Sequence, residues 1–371
     1  MSQLNAGSPV TGINFVGREK EIEYISELLK LGQNIVLIAP RRYGKTSLVL
    51  EVLSRLKNPE IYTSFIDVFS IPTIESLPVQ ITKEVLKNHR LDHIFTATKN
   101  SAIAMLKNLQ LKAAIEDFEY ILGFSEAQKN SWDLLEKSID FIDQFSQKHE
   151  KRMICAFDEF GDIKKLDGDK IIKLFRSKIQ QHKNVSYIFS GSYESVMSSL
   201  FIEKNAPFFR FARVINLGGI EKDKFLTFYQ SQLSLYKIEC ENEYLSAILD
   251  FTRGHPYYSQ LALQELVIYN VLNKKTPEIE LLLEQLLMVE KSYLEKSWEE
   301  ISFSKQNVKL ILSIINTKTR IYADLKNSGV NVARGLKALS QNGTIVKTKT
   351  GYELTDPLLQ YWIEKNITVN L

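Results

Sequence analysis

The strongest chemical signal in this chain lies in one short stretch. Ala39-Pro40-Arg41-Arg42-Tyr43-Gly44-Lys45-Thr46, followed by Ser47, places a glycine, a lysine and a hydroxyl in a row. The stretch follows an apolar, β-branched run at 34–39 and opens a helical pattern at 45–56, which is the setting of a phosphate-binding P-loop. Backbone N–H groups of such a loop surround phosphates, and the helix N-terminus adds its dipole. The Lys45 ammonium would reach the β- and γ-phosphates, and the Thr46 hydroxyl would ligate Mg2+. Alanine stands where the pattern has its first glycine. If φ is positive at Ala39, the side chain costs roughly 1 kcal/mol. If φ is negative it costs nothing, and that is the expectation, because Gly44 remains beside the phosphates.

A second signal is the run Met153-Ile154-Cys155-Ala156-Phe157-Asp158-Glu159. An apolar strand ending in two acids fits a Walker B site. Asp158 would hold the magnesium shell, and Glu159 would orient or polarise an attacking water. The intact second acid argues for hydrolysis and not for binding alone.

These groups need a scaffold. Residues 19–31 carry apolar side chains at helical spacing, and 34–39 read as a buried strand. Further strands are expected at 62–69, 153–157, 185–190 and 213–217, each pair separated by helical patterns. Strands alternating with helices imply a parallel sheet covered on both faces, an α/β domain over residues 15–219. A helical insertion is expected at about 74–150. Residues 1–14 are small and polar and read as a flexible arm or an extended lead-in. Residues 220–300 read as helices only.

The last segment, 301–371, changes character. Helices at 306–316, 322–327 and 332–340 precede two short strands around Thr350-Gly351, the pattern of a winged helix-turn-helix. Asn331, Arg334 and Lys337 at spacings of three would share the exposed face of the third helix. Lys347 and Lys349 would alternate on the hairpin. Such a set can read bases and hold the phosphates of double-stranded DNA. The segment holds ten Lys and Arg against four Asp and Glu, a net of +6 in a chain whose total is only +3.

Composition excludes several classes. The chain of 371 residues is 44% hydrophobic and 25% charged, ordinary for two or three packed domains. Two cysteines, Cys155 and Cys240, cannot build a disulfide framework, and neither has metal-ligand spacing. No apolar run reaches the roughly 18 residues of a membrane span. The N-terminus lacks a basic region followed by an apolar one. A cytoplasmic protein is expected.

Short pieces in a fixed order give a resemblance. They are Phe15-Val16-Gly17-Arg18-Glu19, the loop at 40–48, Phe157-Asp158-Glu159-Phe160 and Ser190-Gly191-Ser192. Phe209-Arg210-Phe211, Gly254-His255-Pro256-Tyr257-Tyr258 and Thr355-Asp356-Pro357 through Tyr361-Trp362 follow. Over nearly its whole length the chain resembles the archaeal-type ATPases of the P-loop class, related to AAA+ and STAND ATPases. The resemblance implies ATP as the nucleotide and residues 220–300 as a helical lid domain. It implies that Arg18 braces the site, that Ser190 or Ser192 senses the γ-phosphate, and that Arg210 is an arginine finger, in cis or from a neighbour. It also implies that Pro256 starts a lid helix and that His255 contacts the β-phosphate. Three functions are consistent with this: an ATP-driven switch, possible as a homo-oligomer; a DNA-binding protein that uses nucleotide as a ligand; and a scaffold or defence component whose winged helix docks a protein partner.

Overall fold

The computed structural model describes residues 4, 6–89, 131–192 and 194–367. Five strands form one parallel sheet: β1 (Ile35–Ile38), β2 (Ile61–Asp67), β3 (Arg152–Asp158), β4 (Val185–Gly191) and β5 (Arg213–Asn216), in the order β2-β3-β4-β1-β5. The register aligns their C-terminal ends. Ile38 is level with Gly191 and Asn216, and Asp67 with Asp158. Everything that follows these strands therefore emerges along one edge, where open α/β sheets bind ligands.

Both faces of the central strands β1, β3 and β4 are covered, as their apolar sequences require, while the edge strand β5 is largely exposed. Side chains alternate along a strand. Val36 and Ile38 face one core with Met153, Cys155 and Phe157, while Ile35 and Leu37 face another with Ile154 and Ala156. The second core is closed by α1 (Glu19–Lys30) and α2 (Lys45–Leu56). The first is closed by α3 (Ser76–Leu86), α4 (Ser131–Lys148), α5 (Lys164–Ile179) and α6 (Glu194–Phe201). The two flanks of the expected insertion, α3 and α4, are helical, and 90–130 lie outside the described residues. Cys155 is fully buried, and burial pushes its thiol far up, so it is packing and not a nucleophile.

Beyond β5 come five helices: α7 (Lys222–Leu235), α8 (Asn242–Thr252), α9 (Pro256–Asn273), α10 (Ile279–Val289) and α11 (Lys291–Ser302). Then follow α12 (Lys305–Thr317), α13 (Ile321–Asp324), α14 (Val332–Gln341), an antiparallel hairpin of β6 (Ile345–Thr348) and β7 (Gly351–Leu354), and α15 (Pro357–Asn366). A single apolar core runs from Phe225 in α7 to Ile363 in α15. The helices from α7 to α11 and the C-terminal module thus share one core, distinct from the two that flank the sheet, and Val16 ahead of α1 is buried in it too.

The connection from β5 into these helices is tight. Ile220 N–H donates to the Gly254 carbonyl at 2.8 Å. Gly254 has φ +70, and a Cβ there would lie 2.2 Å from the Ile220 carbonyl oxygen. Only glycine fits both the conformation and the approach.

Two expectations are corrected here. Residues 6–14 are not a free arm: Val10 N–H donates to Ser47 Oγ at 3.1 Å, and Gly12 N–H donates to Glu51 Oε2 at 3.0 Å. Ala6 N–H reaches Gln264 Oε1 on α9 at 3.4 Å, so the segment straps α2 to α9. In the C-terminal module, Asn331 is the N-cap of α14, its side-chain oxygen accepting from Arg334 N–H at 3.1 Å, and is not a helix-face residue. Arg334, Lys337 and Lys347 are exposed as expected, but Lys349 lies in the turn after β6, where strand alternation does not apply.

Candidate nucleotide site

The phosphate loop leaves β1 at Ala39 and enters α2 at Lys45, with Gly44 as N-cap at φ 78. Ala39 keeps negative φ, since it is not among the residues with positive φ; the strained residue of the loop is Arg42, at φ 66. Lys45 is 4% exposed. Its ammonium donates to the Ala39 carbonyl at 2.9 Å and the Pro40 carbonyl at 3.0 Å, so the charge is held inside the curl of the loop.

The two acids arrive from β3 at the next position along the same edge. Thr46 Oγ1 donates to Asp158 Oδ2 at 2.6 Å, and Ser190 Oγ donates to Asp158 Oδ1. Glu159 adopts the left-handed conformation, φ 49, which turns its side chain out of the strand direction. Ser192 holds both of its oxygens: the backbone N–H donates to Oε2 at 3.1 Å and the hydroxyl to Oε1 at 2.5 Å. Ser190 at the end of β4 and Ser192 just past it thus hold Asp158 at the end of β3 and Glu159 just past it, one serine to each acid. One hydroxyl and one carboxylate, both hard oxygen donors, fit a magnesium ion that takes its remaining ligands from phosphates and water. Among the described residues no group of three or more His, Cys, Asp or Glu forms a self-contained metal cage.

Arg18 is 6% exposed and braces the loop from below. Its guanidinium donates to the Tyr43 carbonyl at 3.1 Å and the Gly218 carbonyl at 2.8 Å, joining the P-loop to the exit of β5. Burial lowers its pKa, and Glu21, 3.4 Å away, opposes that shift.

Lys45, Thr46, Ser47, Glu159 and Ser192 line a cleft of about 230 Å³ with Arg18, Arg42 and Gly44. Pro256, Tyr257 and Gln260 of α9 and the segment Gly7–Val10 line it as well. The strap was not legible in the sequence, because it has almost no apolar residues and its partners are remote. Asp67 carries no motif in the sequence. It ends β2 level with Asp158, and burial together with the Asp158 charge raises its pKa.

Of the expected site residues, Ala39, Pro40, Arg41, Tyr43, Asp158, Ser190, His255 and Arg210 do not line this cleft; Asp158 is bonded to it through Thr46, and Ala39 and Pro40 through Lys45. His255 is 5% exposed and accepts from Tyr258 N–H through Nδ1, capping α9. Its ring packs against Tyr43 at 4.6 Å, and burial, with Arg42 nearby, pushes its pKa down to about 3. In this structure it is a neutral packed histidine that does not line the cleft. A depressed pKa means that the unfolded chain binds the proton first, so His255 supports the fold above pH 6.5 and opposes it as pH falls from there toward 3. The loss between pH 6.5 and 5 is about 2 kcal/mol at most. Urea melts should show this acid loss in the wild type and a clearly smaller one in His255→Gln; equal losses would mean that His255 does not titrate in this window.

Arg210 also lies elsewhere. It precedes β5, whose first residue Arg213 is level with Ile35 at the start of β1, whereas the phosphate loop leaves the far end of β1. Arg210 is exposed, with its guanidinium 5.4 Å from the Phe209 ring. It cannot act as a finger on the cleft of its own chain.

Comparison with known proteins agrees with this geometry. The Walker-type ATPase PABY2304 of Pyrococcus abyssi matches with a TM-score of 0.69 at 16% identity, over 97% of this chain and 99% of that one. The Aeropyrum pernix ORC2 protein, in its ADPNP–ADP complexes, matches with a TM-score of 0.54 at 12% identity, over 95% and 94%. These likenesses establish the shared fold. No curated protein matches the sequence. No helix among the described residues is long and apolar enough to cross a membrane. The sequence model of a family described as an ATPase domain predominantly from Archaea matches residues 15–261, well over half of the chain, and this protein belongs to that family.

Proposed function

We propose that this ATPase is a magnesium-dependent molecular switch of the AAA+/STAND kind, whose nucleotide state governs a C-terminal winged helix acting on double-stranded DNA. One observation carries the reading: the cleft is lined both by the loops of the sheet domain and by Pro256, Tyr257 and Gln260 of α9, a helix whose core is distinct from the two that flank the sheet. A ligand gripped by both changes how they meet, and a ligand shifts an equilibrium only through such differential contact.

Lys45 exchanges the Ala39 and Pro40 carbonyls for phosphate oxygens. Thr46 and Asp158 would hold magnesium, which neutralises charge on the phosphates when bound. Glu159 orients the water whose oxygen bonds to the γ-phosphorus as the bond to the β–γ bridging oxygen breaks, leaving ADP and inorganic phosphate. Ser192 restrains Glu159 and is a positioning residue before it is a γ-phosphate sensor. Arg210 serves as a finger only for a second copy of the chain. On DNA, Arg334 and Lys337 face the groove, and Lys347 and Lys349 take the backbone.

A second reading, a docking module for a protein, draws on Phe303, which is 91% exposed between α11 and α12. The test that separates the two is ATP turnover with and without duplex DNA over a salt series, because contacts to DNA phosphates weaken steeply with salt.

A further inference from the structure

Two loop residues not used in the chemistry make the longest-range contacts at the site. Arg42 Nη1 donates to Glu290 Oε2 at 2.5 Å, and the two side chains are 37% and 6% exposed. The guanidinium also lies 4.2 Å from the Tyr257 ring centroid and 4.8 Å from that of Tyr293. Glu290 sits at the junction of α10 and α11, and its other oxygen accepts the Tyr257 hydroxyl. Next to Arg42 in the chain, Tyr43 reaches the C-terminal module: its hydroxyl donates to the Thr355 carbonyl at 3.0 Å. Tyr258 then bonds Asp356 at 2.7 Å. The Tyr257-Tyr258 pair and the Thr355-Asp356 pair, both singled out in the sequence, thus converge on the outer side of the phosphate loop.

Arg42 also lines the cleft. A guanidinium binds carboxylate and phosphate with the same planar fork, so here two anions compete for one cation. Glu290 is buried deeply enough to need a partner, and Tyr257 remains to it if Arg42 leaves.

We propose that Glu290 is an internal competitor for the nucleotide's phosphates. It holds Arg42 on the lid while the cleft is empty, and a bound polyphosphate draws Arg42 away. One ion pair breaks, another forms, and no proton moves. Release of Arg42 loosens the loop's grip on the α10–α11 junction, and Tyr43 carries the change to Thr355. That last step rests on the switch reading above; the competition itself does not.

The test is a double-mutant cycle on Mg-ATP affinity, measured with the full chain. Glu290→Gln keeps the shape of the side chain and removes its charge. It should tighten ATP binding on the order of tenfold, within the usual range of coupling between sites. Arg42→Gln should weaken binding, and adding Glu290→Gln to it should change nothing further. Glu290→Asp, which keeps the charge but shortens the reach, should also tighten binding. An unchanged Kd in Glu290→Gln, or the same change in both backgrounds, would overturn the competition. Hydrogen exchange at residues 352–358 reads the second half. Mg-ATP should speed it in the wild type, and in Glu290→Gln it should be fast before nucleotide is added. If the cycle holds but the wild type shows no response there, the competition stands and the switch reading falls.

Discussion

Lys45→Ala should abolish tight ATP binding. The ammonium is buried and already satisfied by two loop carbonyls, so the loop is shaped around a positive charge before any phosphate arrives. Alanine leaves those carbonyls facing an empty interior. A phosphate entering it would meet their partial negative charge with no cation between. Truncating one partner of a buried charge pair costs about 3 kcal/mol or more, roughly a hundredfold in Kd. Calorimetric titration with Mg-ATP reads this directly. Wild-type affinity in the variant would overturn the assignment of the loop, because among the described residues no second lysine lines the cleft.

Glu159→Gln should separate binding from chemistry. The amide keeps the size of the side chain and one acceptor for Ser192, so the cleft retains its shape. What it loses is the charge that orients and polarises water. ATP affinity should stay within a few-fold of wild type, and turnover should fall on the order of 10²–10³-fold. Single-turnover phosphate release checks this without interference from product dissociation. Hydrolysis at the wild-type rate would assign the role to another group, and Asp67, level with Asp158 and with a raised pKa, would be the first to examine.

Local physics explains what the sequence disclosed. β1 is bounded by Gly32 and Pro40 and is apolar throughout, so it had to be a strand buried on both faces. Lys45–Leu56 was readable as a helix to the residue, because its apolar positions recur with helical period from the end of the loop. The loop, Asp158 and Glu159 were found because each is contiguous with a strand end, and a parallel sheet brings strand ends to one edge.

What stayed hidden depends on contacts between remote segments. The strap at 6–14 has few side chains to signal burial; its hold is through backbone N–H groups to Ser47, Glu51 and Gln264. Nothing in the sequence around Glu290 points to Arg42, its partner 248 positions away. His255 has the composition of a ligand and the surroundings of a cap. Amphipathic helices reveal that they bury a face but not against what, which is why the shared core of lid and C-terminal module could not be read. Asn331 shows a finer limit: spacing of three places it on a helix face only if the helix has already begun, and Asn331 is where it begins.

ATP turnover by the purified chain, with and without duplex DNA at low and moderate salt, tests the central claim most directly. The account predicts that DNA stimulates hydrolysis at low salt and that the stimulation fades as salt rises. Turnover indifferent to DNA, with tight Mg-ATP binding retained, would contradict a switch that acts on DNA and would assign the C-terminal module to a protein partner.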